Sequence, residues 1–81
     1  MALVAYTGDF TVDALQIDQV RLQGGGTGAG VLTLSDDSQV TVSADYMSRY
    51  QPVATNWYSI DGDGVEECWT NTIFTARFTE V

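Results

Sequence analysis

The chain has no histidine, no lysine, one cysteine and three arginines among its 81 residues. Each shortage removes a class of chemistry. Without an imidazole, neither a Cys–His nor a Ser–His nucleophile can be assembled, and Cys68 has no partner of that kind to lower its pKa. Zinc loses the ligand types it takes most often, and a calcium loop of the EF-hand kind would need donors where Val65 and Thr72 stand, counting from Asp61. A single cysteine excludes an intrachain disulfide, which fits a reducing compartment. Three arginines cannot displace the counterions that carry most nucleic-acid affinity, so no direct contact with DNA or RNA is expected. The opening apolar stretch at 1–6 is too short for a membrane span and lacks the basic flank of a signal peptide. We therefore expect a cytoplasmic protein that neither enters nor binds a membrane.

Acid and apolar residues make up what remains. Eleven Asp and Glu give a formal net charge of −8, yet 44% of the chain is hydrophobic and only 17% charged, the balance of a folded domain rather than a disordered one. The length predicts a single domain over 1–81, with an accessible surface of about 4,800 Å² once roughly 63% of the unfolded surface is buried. The negative charge repels anionic membranes and attracts basic partners, speeding such encounters at low salt. It also serves the plain purpose of keeping a small protein soluble.

Along the chain, residues 3–6 predict a short strand before the Thr7-Gly8-Asp9 turn signal. In 10–22, Leu15 and Ile17 fall on one face of an extended strand while Val20 and Leu22 fall on the other. The slip predicts a bulge near Asp18, with a helical stretch as the alternative. Residues 23–30 hold five glycines in a loop expected to be flexible, with Gly24, Gly26 and Ala29 matching a phosphate-binding fingerprint only superficially, since no βαβ unit surrounds them. The β-branched runs at 31–34 and 39–43 predict a hairpin around Ser35-Asp36-Asp37-Ser38. Ser43 predicts the N-cap of a two-turn helix ending before Pro52, with Tyr46 and Tyr50 on one face. A second hairpin is expected from 56–60 and 65–70 around Asp61-Gly62-Asp63-Gly64. Residues 71–81 satisfy both strand alternation and helical spacing, with Asn71 as a candidate cap for the helix. The fold class that follows is α+β and β-dominated: a small antiparallel, barrel-like sheet of two hairpins with one or two short helices. Open edges on so small a sheet predict a homo-oligomer.

The C-terminal half carries Asp45-Tyr46, Pro52, Trp57-Tyr58, Asp63-Gly64, Phe74 and Phe78-Thr79-Glu80-Val81 in that order. In this pattern it resembles small uncharacterised bacteriophage accessory proteins, whose C-terminal half pairs such a hairpin with a terminal helix. The resemblance implies an accessory role in an infected host cell's cytoplasm. It transfers no catalytic or binding residues.

Asp61, Asp63, Glu66 and Glu67 are the carboxylates nearest one another, but general acid–base work needs one carboxyl lifted by burial beside one that stays ionised. These four sit in or beside a solvated turn, so we expect neither catalysis nor a bound metal or cofactor. Trp57 and Tyr58 are adjacent on a strand and must face opposite sides of the sheet, so an exposed aromatic beside acids is the expected contact point. The candidate binding residues are Trp57, Tyr58, Tyr46, Tyr50, Arg49, Asp61, Asp63, Glu66 and Glu67. The leading expectation is a non-enzymatic protein that antagonises a host protein with a basic surface. Two alternatives are an oligomeric sponge for a nucleotide-like small molecule, with Arg49 or the Gly-rich loop touching phosphate, and a minor virion component.

Overall fold

A computed structural model describes residues 3–81. The chain forms β1 (Val4–Thr7), β2 (Thr11–Leu22), β3 (Gly30–Leu34), β4 (Gln39–Val42), α1 (Ala44–Tyr50), β5 (Trp57–Asp61), β6 (Glu66–Trp69), α2 (Asn71–Arg77) and β7 (Thr79–Glu80). All seven strands are antiparallel and belong to one sheet. The accessible surface is 4766 Å², in line with the size expected from mass.

The spine is β2. Twelve extended residues reach about 40 Å at roughly 3.3 Å each, comparable with the molecule's 38 Å long dimension. Val12, Asp13 and Ala14 pair with both β1 and β5, so those strands take opposite edges. Farther along, the Gln16 carbonyl accepts from Ser35 while Ile17 bonds Asn56 and Thr55, which puts β3 on the edge away from β5. One half of β2 thus sits in a β7-β1-β2-β5-β6 sheet and the other half leads into β3 and β4.

The hinge between the halves is the expected bulge. Ile17 pairs with Leu34 but Gln19 pairs with Thr33, leaving Asp18 as the extra residue. An inserted residue reverses the face presented by everything after it. Val20 therefore packs with Leu15 and Ile17 in one core despite its even number. The period slip in the sequence and the bulge are the same feature.

The two helices cover opposite faces. Helix α1 opens as the sequence predicts, with Ser43 Oγ accepting from the Tyr46 N–H, and buries Tyr46 over Leu15, Ile17, Leu32, Leu34, Val42 and Tyr58. Helix α2 resolves the ambiguity of 71–81: its cap is Thr70 rather than Asn71, and it buries Phe74 against Val12, Ala14 and Phe78 before the chain turns extended again as β7. The helical spacing of Ile73, Phe74 and Arg77 is the one realised, and the strand alternation read from Phe74 onward is not, since only Thr79–Glu80 are in a strand. All nine aromatics divide between the faces. Tyr6, Phe10, Trp57, Trp69, Phe74 and Phe78 form one connected set of ring contacts. Tyr46, Tyr50 and Tyr58 form the other.

The β3–β4 and β5–β6 hairpins occur where the sequence places them. The sheet does not close into a barrel, because β4, β6 and β7 each pair on one side only. At the β6 edge, α1 takes the place of another strand: the Tyr46 hydroxyl donates to the Glu67 carbonyl at 2.9 Å. Such capping removes part of the template for edge pairing. The Gly-rich loop joins β2 to β3, closed by a Gln23 N–H bond to the Ala29 carbonyl at 2.8 Å.

Candidate functional site

The register of the sheet gathers charge that is scattered in sequence. Directly paired residues point to the same face, and residues in one row lie at the same height along the strands. Asp13, Ile60 and Glu66 form one row across β2, β5 and β6. Val12 pairs with Asp61 and with Tyr6, which pairs with Glu80. Glu67 lies one row inward, opposite Ser59. With Asp9 and Asp63 in the adjoining turns, seven of the eleven carboxylates collect at one end of the long axis. Little offsets them. Arg21 lies at the far end of β2, where it pairs with Val31. Arg49 makes the single ion pair among the described residues, to Asp45 at 3.5 Å. Only Arg77, whose carbonyl lies against Gly8, adjoins this end.

Beside this end, α1 and β6 flank an open surface cavity of about 130 Å³, lined by Ser43, Asp45, Tyr46, Arg49, Tyr50 and Glu66. Helical spacing brings Tyr46 and Tyr50 together with ring centroids 4.8 Å apart. Tyr50 is half-buried and Tyr46 buried. Glu66 is half-buried and accepts from the Tyr58 hydroxyl through Oε2 at 2.5 Å. Burial holds the Tyr58 hydroxyl well above its ordinary range, and the Glu66 carboxylate raises it further by that bond and by its charge. Burial likewise lifts Tyr46, with the neighbouring Cys68 adding to the effect. Cys68 is itself pushed up by burial, partly offset by hydrogen bonding with Tyr46, so its resting form is the thiol rather than the nucleophilic thiolate.

The nine sequence candidates separate into three groups. Tyr46, Arg49, Tyr50 and Glu66 meet at the cavity, and Tyr58 supports it from beneath as a buried residue. Asp61, Asp63 and Glu67 belong to the acidic end. Asp61 builds the turn there: its Oδ1 accepts from the N–H groups of Asp63 at 2.9 Å and Val65 at 3.0 Å. Trp57 is on the other face, stacked on Phe74 at 4.3 Å with Nε1 donating to Asn71 Oδ1 at 2.9 Å. The expectation that Trp57 or Tyr58 would stand exposed is corrected by this: each face of β5 has its own helix, so Trp57 is half-buried and Tyr58 is 2% exposed. Asp36 and Asp37 lie in the β3–β4 turn, which meets β2 near Gln16 and so stands apart from the acidic end.

Sequence reading missed Asp9, Asp13 and Glu80 as members of the acidic end and Ser43 and Asp45 as lining residues. The i,i+4 spacing of Asp45 and Arg49 was a usable signal for the latter. Nothing local marks Asp13 or Glu80, whose neighbours come from other strands. No group of three or more metal-ligating side chains gathers among the described residues, and none of their helices is long and apolar enough to cross a membrane. Compared with known protein families, curated proteins and solved structures, the chain has no match.

Proposed function

We propose that the protein is a non-catalytic binding module that docks its acidic end on a basic surface of another protein. The observation that carries this reading is the gathering of Asp9, Asp13, Asp61, Asp63, Glu66, Glu67 and Glu80 by strand register, with one arginine nearby to offset them. A field of one sign at one end of an elongated molecule steers encounter and orients it. Solubility alone needs net charge but no such arrangement. On the resemblance of the C-terminal sequence pattern to bacteriophage accessory proteins, we propose a host protein as the partner class, a defence or nucleic-acid-handling component whose basic face would be occupied and thereby blocked.

A nucleotide sponge is supported less well. The cavity is smaller than the 300 to 1,000 Å³, roughly, of small-molecule sites, and two carboxylates line it against one arginine. A phosphate would be repelled there.

Capture from host lysate tests the proposal. Wild-type protein should retain a basic partner at low salt and release it at high salt. A variant carrying Asp13→Asn, Asp63→Asn, Glu67→Gln and Glu80→Gln should lose it. Identical partner sets for both proteins would contradict the reading.

A further inference from the structure

The cavity between α1 and β6 has a chemistry that the acidic end as a whole does not. Asp45 and Glu66 supply carboxylates, Tyr46 and Tyr50 supply aromatic walls, and Ser43 adds a hydroxyl. Carboxylates with tyrosine rings are the two groups that recognise an organic cation, one by charge and directed hydrogen bonds, the other through the negative face of the ring. The cavity volume of about 130 Å³ admits a side-chain head group and little more. Its rim already holds a cation: the guanidinium of Arg49 lines the cavity and lies 3.5 Å from Asp45 Oδ2. Arg49 and Asp45 are 65% and 81% exposed, so this pair is a weak surface contact that an incoming cation can replace. Glu66 Oε2 accepts from Tyr58, leaving Oε1 for a second donor.

We infer that this cavity is a receptor for one arginine side chain of the partner, with Asp45 and Glu66 bonding its guanidinium, Tyr50 packing against its plane, and Arg49 as the internal cation it displaces. Arginine fits better than lysine, because a planar fork of donors can bridge two carboxylates and stack on a ring. The inference rests on the docking reading above and gives that partner a chemical anchor: Glu66 belongs both to the acidic row and to the cavity.

Titration of the labelled protein with Nα-acetyl-arginine amide, followed by amide NMR shifts, tests it, with the neutral isostere Nα-acetyl-citrulline amide as control. Saturable shifts are expected at 45–50 and 66–67 with arginine and not with citrulline. Glu66→Gln, which keeps an acceptor for Tyr58, and Tyr50→Leu should each weaken binding about two- to fivefold. Arg49→Gln should tighten it by removing the competing cation. Asp63→Asn, an equal loss of charge outside the cavity, should change affinity little. Shifts spread evenly over the acidic end, equal weakening by Asp63→Asn and Glu66→Gln, or an equal response to citrulline would overturn the assignment. If partner capture depends on Asp13, Asp63, Glu67 and Glu80 but the probe finds no local site, the receptor falls and the docking reading stands. If the probe binds locally while capture ignores those carboxylates, the docking reading falls instead.

Discussion

Tyr46 and Tyr58 keep their protons for reasons that set how the fold responds to alkali. Both hydroxyls are raised above the ordinary tyrosine value by burial. The unfolded chain gives up these protons from about pH 10, while the folded protein retains them. Stability is therefore fully present below that value and falls as pH rises above it, by up to about 1.4 kcal/mol per pH unit for each tyrosine. Denaturant unfolding between about pH 8 and 11 should show a steep alkaline loss, shallower in Tyr58→Phe; a flat profile for the wild type would contradict the buried tyrosine pair. Glycine makes a second case at this scale. A Cβ on Gly8 would overlap the backbone carbonyl of Arg77, whereas one on Gly30 would overlap the side chain of Met47. A main-chain carbonyl cannot turn aside and a methionine can. Gly8→Ala should cost about 2 to 3 kcal/mol and Gly30→Ala about 1, measured by chemical denaturation.

At the level of elements, the caps and turns carry the organisation. The Ser43 hydroxyl caps α1 through the Tyr46 N–H at 3.1 Å, and Ser43→Ala should cost about 1 kcal/mol. Asp61→Ala removes the acceptor of two turn N–H groups and should cost about 1 to 2 kcal/mol. Calcium should leave the melting temperature of both Asp61→Ala and the wild type unmoved, since the carboxylate serves the turn. Much at this scale was legible in the sequence, because its signals are local: Ser43 before an acid, paired β-branched runs, a period slip at Asp18. The Thr70 cap was less so, since Asn71 is an equally good cap by residue type. In the structure the Asn71 Oδ1 accepts from Trp57 Nε1 instead, while Thr70 Oγ1 accepts from the Ile73 N–H. Because Asp18 is the extra residue, deleting it leaves Ile17, Gln19 and Val20 in regular register with Leu34, Thr33 and Leu32, so Val20 keeps the core face and the shortened protein should still unfold cooperatively by circular dichroism.

For the whole molecule, the balance of legibility reverses. Net charge could be read directly, but its arrangement could not: Asp13 and Glu66 are 53 positions apart in the chain and share a row only because β5 lies between them. That neither Trp57 nor Tyr58 stands exposed was hidden for a related reason, since a helix on each face of β5 is a fact of topology rather than of local pattern. For the proposed docking role the consequence is directional, an acidic pole beside a tyrosine-walled cavity. Electrostatic steering acts mainly on the rate of association and is screened beyond about 8 to 10 Å at ordinary salt. The association rate constant with the captured partner, measured at increasing salt, tests that most directly. Docking through the acidic end requires a steep fall for the wild type and a slower, nearly salt-independent rate for the variant neutralised at Asp13, Asp63, Glu67 and Glu80. Equal rates and equal salt dependence for the two proteins would contradict it.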